Sequence, residues 1–168
     1  MKNDIQTLQK RIKIMIIIFI VGLVLSGVTA FPIVTEIELF DNYFFHSIWL
    51  QNYLPSIYTF LIFVSKGVHE TAQNYPYIFY GTDWLAFAHI VIATAFIGPL
   101  RDPVRNIWVI EFGMIACLMV FPLAFICGPI RGIPVIWRII DCSFGVFGII
   151  PLWITRKWIL QLEKLQTA

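Results

Sequence analysis

Four long apolar stretches, at about residues 13–35, 82–100, 106–130 and 139–156, limit what this chain can fold into. Each is close to the roughly 20 residues that an α-helix needs to cross a hydrocarbon core. In such a setting every backbone N–H and C=O must be paired within the segment, and a helix does this residue by residue. Composition points the same way: of 168 residues, 59% are hydrophobic and 13% charged, where an average soluble domain has about 25% charged. One small water-soluble core cannot hide that much apolar side chain. The expected fold class is all-α, an integral membrane bundle of four transmembrane helices forming a single membrane domain over residues 1–168. Its first partner is the lipid bilayer. The net charge of +2, with basic residues spread among helix ends, argues against nucleic acid.

The first stretch follows Lys10, Arg11 and Lys13 and runs uncharged from Ile14 to Thr35. Val28-Thr29-Ala30 resembles a cleavage site, so removal as a signal peptide competes with a retained helix. The length of the run favours retention, as do Gly22, Ser26 and Ala30, a stripe of small residues suited to helix packing. Residues 36–81 then form an outer, extracytoplasmic segment. Its aromatic run from Tyr43 to Val64, broken by Gln51, Asn52 and Pro55, suits a partly helical element lying in the interface. Two later stretches end in Gly-Pro-x-Arg, at Gly98–Arg101 and Gly128–Arg131. This reads as helix-stop chemistry, the glycine capping and the proline preventing continuation.

Basic residues set the orientation. Four spans put Lys2, Lys10, Arg11, Lys13, Arg101, Arg105, Arg156, Lys157 and Lys164 on one side, and only Lys66, Arg131 and Arg138 on the other. The positive-inside rule then places both termini in the cytoplasm, and a fifth span through Tyr43–Val64 would reverse everything after it. Trp84 and Trp137 fall at the outer interface, with Trp108, Trp153 and Trp158 at the inner one, as aromatic belts require.

Few residues suggest chemistry. Asp141 lies three positions after Arg138, on one helical face with Gly145 and Gly148. It is either half of an ion pair anchoring the outer loop or an acid facing into the bundle. His89 shares a face with Ala86 and Ala93 and reads as an interior histidine bonded to a backbone carbonyl or hydroxyl. With Asp83, Arg131, Arg138 and Asp141 it makes a candidate polar cluster near the outer leaflet. Arg101, Asp102, Arg105 and Glu111 make a candidate cytoplasmic charge network. His46 and His69 are the other imidazoles; no HxxxH, HExxH or CxxC spacing occurs, so neither a metal site nor a cofactor is expected. Cys117, Cys127 and Cys142 read as packing residues, though Cys127 and Cys142 could approach. Ser26, Ser47, Ser56, Ser65 and Ser143 lack the context of a nucleophile.

Residues Tyr80 to His89, with Gly98 to Asn106, Gly128 to Pro134 and Arg138 to Gly148, resemble an uncharacterised bacterial family of four-helix integral membrane proteins. The resemblance covers roughly the last ninety residues and implies a bacterial inner-membrane protein, with no activity, substrate or cofactor attached. Three functions stay open: a non-enzymatic scaffold or accessory subunit with membrane-protein partners or as a homo-oligomer, an enzyme or ligand binder using the outer cluster, and an oligomeric transporter component.

Overall fold

A computed structural model describes residues 2–44 and 47–167; His46 lies outside them. Among the described residues the fold is 91% helix with no strand. Helix α1 (Lys2–Ala30) starts well before the first apolar stretch and stops short of its expected end. Pro32 is the reason: it has no N–H and it disfavours helical backbone at Phe31. After that turn come α2 (Ile33–Phe44), α3 (Ile48–Tyr53) and α4 (Pro55–Asn74). The Ser47 hydroxyl caps α3 by accepting from the Leu50 N–H at 3.3 Å, and Pro55 sits in the first turn of α4, where its missing donor costs nothing. A 3-10 turn (Pro76–Phe79) leads to α5 (Tyr80–Ala95) and α6 (Ile97–Arg101). Helix α7 (Ile107–Pro122) passes through a π-helical turn (Leu123–Cys127) into α8 (Gly128–Ile130), and α9 (Val135–Thr167) closes the chain.

Helices end within the Gly-Pro-x-Arg segments as expected, at Arg101 and Ile130, but not by a cap on the motif's own glycine. Each proline sits in the first turn of a short helical segment, where a missing N–H is tolerated. Gly132 adopts φ +69°, its N–H bonds to Pro129 O, and the Ile133 N–H reaches back to Gly128 O at 2.9 Å. That is a Schellman cap built on the next glycine along.

Four helical stretches are long and apolar enough to cross a membrane: Asp4–Ala30, Pro76–Arg101, Ile107–Ile130 and Val135–Thr167. The main contacts run α5 against α1, α1 against α9 and α9 against α7. Only 17% to 22% of each apolar window is buried, so most of its apolar surface is left for something other than protein to cover. Small residues set the closest approaches. A methyl group on Gly27 would meet Ala86 O of α5 at 2.8 Å, and one on Gly145 would meet Cys117 O of α7 at 2.5 Å. The expected stripe of Gly22, Ser26 and Ala30 is not the packing face: Gly22 has no neighbour within 4 Å, and α1 turns Gly27 inward instead.

The best-buried core lies where the two termini meet. Leu8, Ile12 and Ile16 of α1 cluster with Leu152, Ile159 and Leu162 of α9, together with Phe96, Val109 and Ile110. By rise per residue α9 is about 50 Å long and α1 about 43 Å, both beyond a ~30 Å hydrocarbon slab. The surplus is the polar-flanked pairing of their terminal turns.

At the opposite end α2, α3 and α4 form a cap. The start of α4 meets the start of α9, where Phe60 and Trp137 stack at 5.5 Å, and Pro55 and Ser56 share a cleft with Pro134. Its last residue leads through the 3-10 turn to the start of α5. So α4, about 30 Å long, runs across the bundle end between the mouths of two long helices. It is not among the stretches apolar enough to cross a membrane.

Candidate functional site

The expected polar cluster divides in two. Arg131, Arg138 and Asp141 come together on a 240 Å³ cleft between the π-helical turn and α9, walled by Val120, Leu123, Ala124, Cys127 and Ile133. Asp83 lies elsewhere, on a 290 Å³ cleft with Phe31, Tyr80, Trp84 and Phe87. His89 is occupied within its own helix, its Nδ1 lying 2.8 Å from Leu85 O. A carbonyl can only accept, so Nδ1 carries the proton. The face of α5 shared by His89 packs on α1, with Ala86 and Ala93 buried there.

Within the α7–α9 cleft the anticipated Arg138–Asp141 pair does not form among the described residues. Arg138 instead donates from Nε to Ile133 O at 3.0 Å. Its stem crosses Gly128, where any Cβ would collide with it. The Schellman turn thus positions the carbonyl, and the glycine makes room for the stem. Gly145 and Gly148, on the Asp141 face, press against Cys117 of α7 and hold the two cleft walls at close range. Cys117, Cys127 and Cys142 are free thiols.

The expected charge network also regroups. Glu111 pairs with neither Arg101 nor Arg105; its Oε1 accepts from Arg156 Nε of α9 at 2.8 Å. Spacing along the chain hid this, because the partners are brought together only by the antiparallel packing of α7 on α9. The α6–α7 turn is held by side-chain hydrogen bonds to the backbone, without an ion pair among the described residues. Asp102 Oδ1 accepts from the Arg105 N–H at 3.1 Å, and Asn106 Nδ2 donates to Asp102 O at 2.9 Å and Gly98 O at 3.3 Å.

A third polar group escaped notice in the sequence. In the cap, the Ser65 hydroxyl donates to Asp41 Oδ2 at 2.6 Å, joining α4 to α2. Asp41 Oδ1 is buried without a partner. His69, one turn after Ser65, puts Nδ1 2.9 Å from Ser65 O, so that nitrogen is also protonated and cannot serve as base to the hydroxyl. The Ser65–His69 spacing on one face of α4 was the available signal. Among the described residues no three His, Cys, Asp or Glu side chains are grouped to hold a metal.

Fold and clefts together define an all-α protein with four helices suited to spanning a membrane, a helical cap at one end and a charged cleft beneath it. No family model matches the chain, no curated protein matches it, and no solved structure matches it.

Proposed function

We propose that the protein is a multi-pass component of a bacterial plasma membrane, with both termini in the cytoplasm, that works without catalysis. In this reading it is a small scaffold or accessory subunit whose cap docks a membrane-protein partner or a second copy. The apolar surface left on four bilayer-length helices supports the membrane setting. The clustering of basic residues at the terminal end supports the orientation, and the resemblance of the later segments supports the bacterial source. The observation that carries the docking role is the cap's aromatic surface. Tyr43 is 77% exposed, Phe63 72% and Tyr53 70%, one on each of the three cap helices, of which α2 and α4 are joined by the Asp41–Ser65 bond. Aromatic side chains are the usual anchors of interfaces.

Photo-crosslinking residues placed at Tyr43, Tyr53 and Phe63 test this in cells. One discrete protein adduct, shared by the three cap positions and missing at Phe147 in α9, is the expected outcome. Adducts to lipid alone at every cap position would remove the reading. Reporter fusions at Lys66 and Arg105 separately test the topology, and opposite signals are expected.

A second reading is favoured by a different observation, the convergence of Arg131, Arg138 and Asp141 on one cleft. Here the protein holds a charged ligand at the membrane interface.

A further inference from the structure

The α7–α9 cleft gathers three ionisable side chains whose needs are unmet by protein. Arg138 spends only Nε on Ile133 O. Its terminal nitrogens, the whole Arg131 guanidinium and both carboxylate oxygens of Asp141 have no hydrogen-bond or ion-pair partner among the described residues. The walls around them are apolar. Arg131 is exposed at the mouth, whereas Arg138 and Asp141 are half-buried against apolar walls, where unpaired charge is costly and a polar ligand completes the set. Arg138 and Asp141 are spaced to pair along one helix face, yet they stay apart.

The level of the cleft narrows the ligand. Arg138 and Asp141 follow Trp137, the belt residue at this end of α9, by one and four positions. About 31 Å of helical rise separates Trp137 from Trp158 at the other belt, which matches a hydrocarbon slab. The cleft therefore sits at the edge of the hydrocarbon, roughly 2–6 Å inward of the belt residue and within reach of a headgroup. Immediately inside it the surface is apolar and open: Leu123 on the cleft wall is 62% exposed, and Phe144 and Phe147 on α9 are 70% and 72%. A charged head with attached acyl chains fits both parts.

Charge narrows it further. Two guanidinium groups suit a phosphate. A bare phosphate would also face the Asp141 carboxylate, which repels it. A head carrying both signs satisfies all three side chains, and its cation must donate hydrogen bonds to serve a carboxylate. A primary ammonium does this; a quaternary one cannot.

We propose that this cleft holds the phosphoethanolamine head of a membrane phospholipid, with phosphate on Arg131 and Arg138 and ammonium on Asp141. The proposal rests on the second functional reading above and names its ligand.

Native mass spectrometry of the full chain in detergent tests it, with phosphatidylethanolamine, phosphatidylglycerol and phosphatidylcholine of identical acyl chains supplied in equal amounts. Wild type is expected to retain phosphatidylethanolamine about tenfold over either competitor, the scale of one charge-assisted contact. Asp141→Asn should bring phosphatidylethanolamine and phosphatidylglycerol to parity, and Asp141→Glu should restore the preference. Arg131→Gln should weaken both about tenfold, whereas Arg105→Gln at the far end should change nothing. Loss of folding in a variant is identified by its helicity, and the Asp141→Glu arm then carries the test. Equal retention of all three lipids by wild type, or a preference that survives Asp141→Asn, overturns the proposal. Soluble phosphoethanolamine binding as tightly as the lipid overturns the lipid source. Arginine-dependent retention of phosphatidylglycerol with no ethanolamine preference would sink this ligand but keep the ligand-binding reading. Retention unaffected by Arg131→Gln would sink both.

Discussion

At the terminal end, Ile12 and Ile159 are 0% exposed and Leu162 1%, whereas at the cap end Tyr43, Trp49 and Phe63 stand open. The two regions lie at opposite ends of the bundle, and they treat large side chains in opposite ways. The terminal turns of α1 and α9 carry charges on their outer faces, so an apolar stripe there has only its partner helix to hide against. The cap's exposed large side chains are mostly aromatic, with polar tips or edges suited to headgroups or to a docking protein. The cap is joined instead by a buried polar bond, Ser65 to Asp41. Between these ends the long helices meet through glycines. In the membrane setting proposed above, where water does not drive helices together, close backbone approach is what remains to hold them.

The comparison breaks most readily in the middle layer. Gly145→Leu would drive a side chain into the α7 backbone, which cannot swing aside. The expected loss is about 3 kcal/mol or more, at the upper end for overpacking, read as a lower melting temperature in detergent. Gly22→Leu, facing open space, should leave melting nearly unchanged. Equal effects would mean that α1 and α9 are rotated differently from the packing described.

Next in size is the terminal core. Ile159→Ala should cost about 2–4 kcal/mol, the range for emptying a buried aliphatic site. Phe63→Ala on the cap should cost little in the isolated protein. A larger loss from Phe63 would show that the cap's aromatics pack within the fold and are not free for a partner.

Ser65→Ala removes the donor to Asp41 and leaves both oxygens of this half-buried carboxylate unmatched, for about 1–3 kcal/mol. The loss should be local. Hydrogen exchange should speed up in α2 and α4 while α1, α7 and α9 stay protected. Uniform acceleration across the bundle would contradict the cap as a separate layer.

The smallest effect expected is at Glu111–Arg156, where the side chains are 41% and 38% exposed. Pairs of this exposure contribute about 0–1 kcal/mol. Glu111→Gln should therefore shift melting only slightly, and less at high salt. A shift as large as that of Ile159→Ala would place this pair deeper than its exposure indicates.

Several features were legible before any coordinates. Four helices, the long cap segment and the spacing of tryptophans all follow from local runs of residue type. Helix ends were harder. The apolar run suggested an end near residue 35, but Pro32 stops α1 at Ala30. Hydropathy marked where α9 becomes polar, near residue 156, yet a helix with one apolar stripe continues to Thr167. The candidate site was legible only in part. Arg131, Arg138 and Asp141 are near neighbours in sequence and share a local turn, so their convergence needed little beyond helix geometry. Asp83 and His89 lie on another helix, and Asp41–Ser65 and Glu111–Arg156 join residues far apart in the chain.

By itself the sequence determined that this protein is helical and which stretches suit a bilayer, because those properties depend on side chains a few residues apart. The tertiary structure alone decided the rotation of each helix and the partner of each buried polar group. The physical reason lies in helices such as α7, apolar on nearly every side. A helix with no distinct stripe carries no local instruction for which face meets a neighbour, so the fit of glycines and the needs of a few charged groups make that choice.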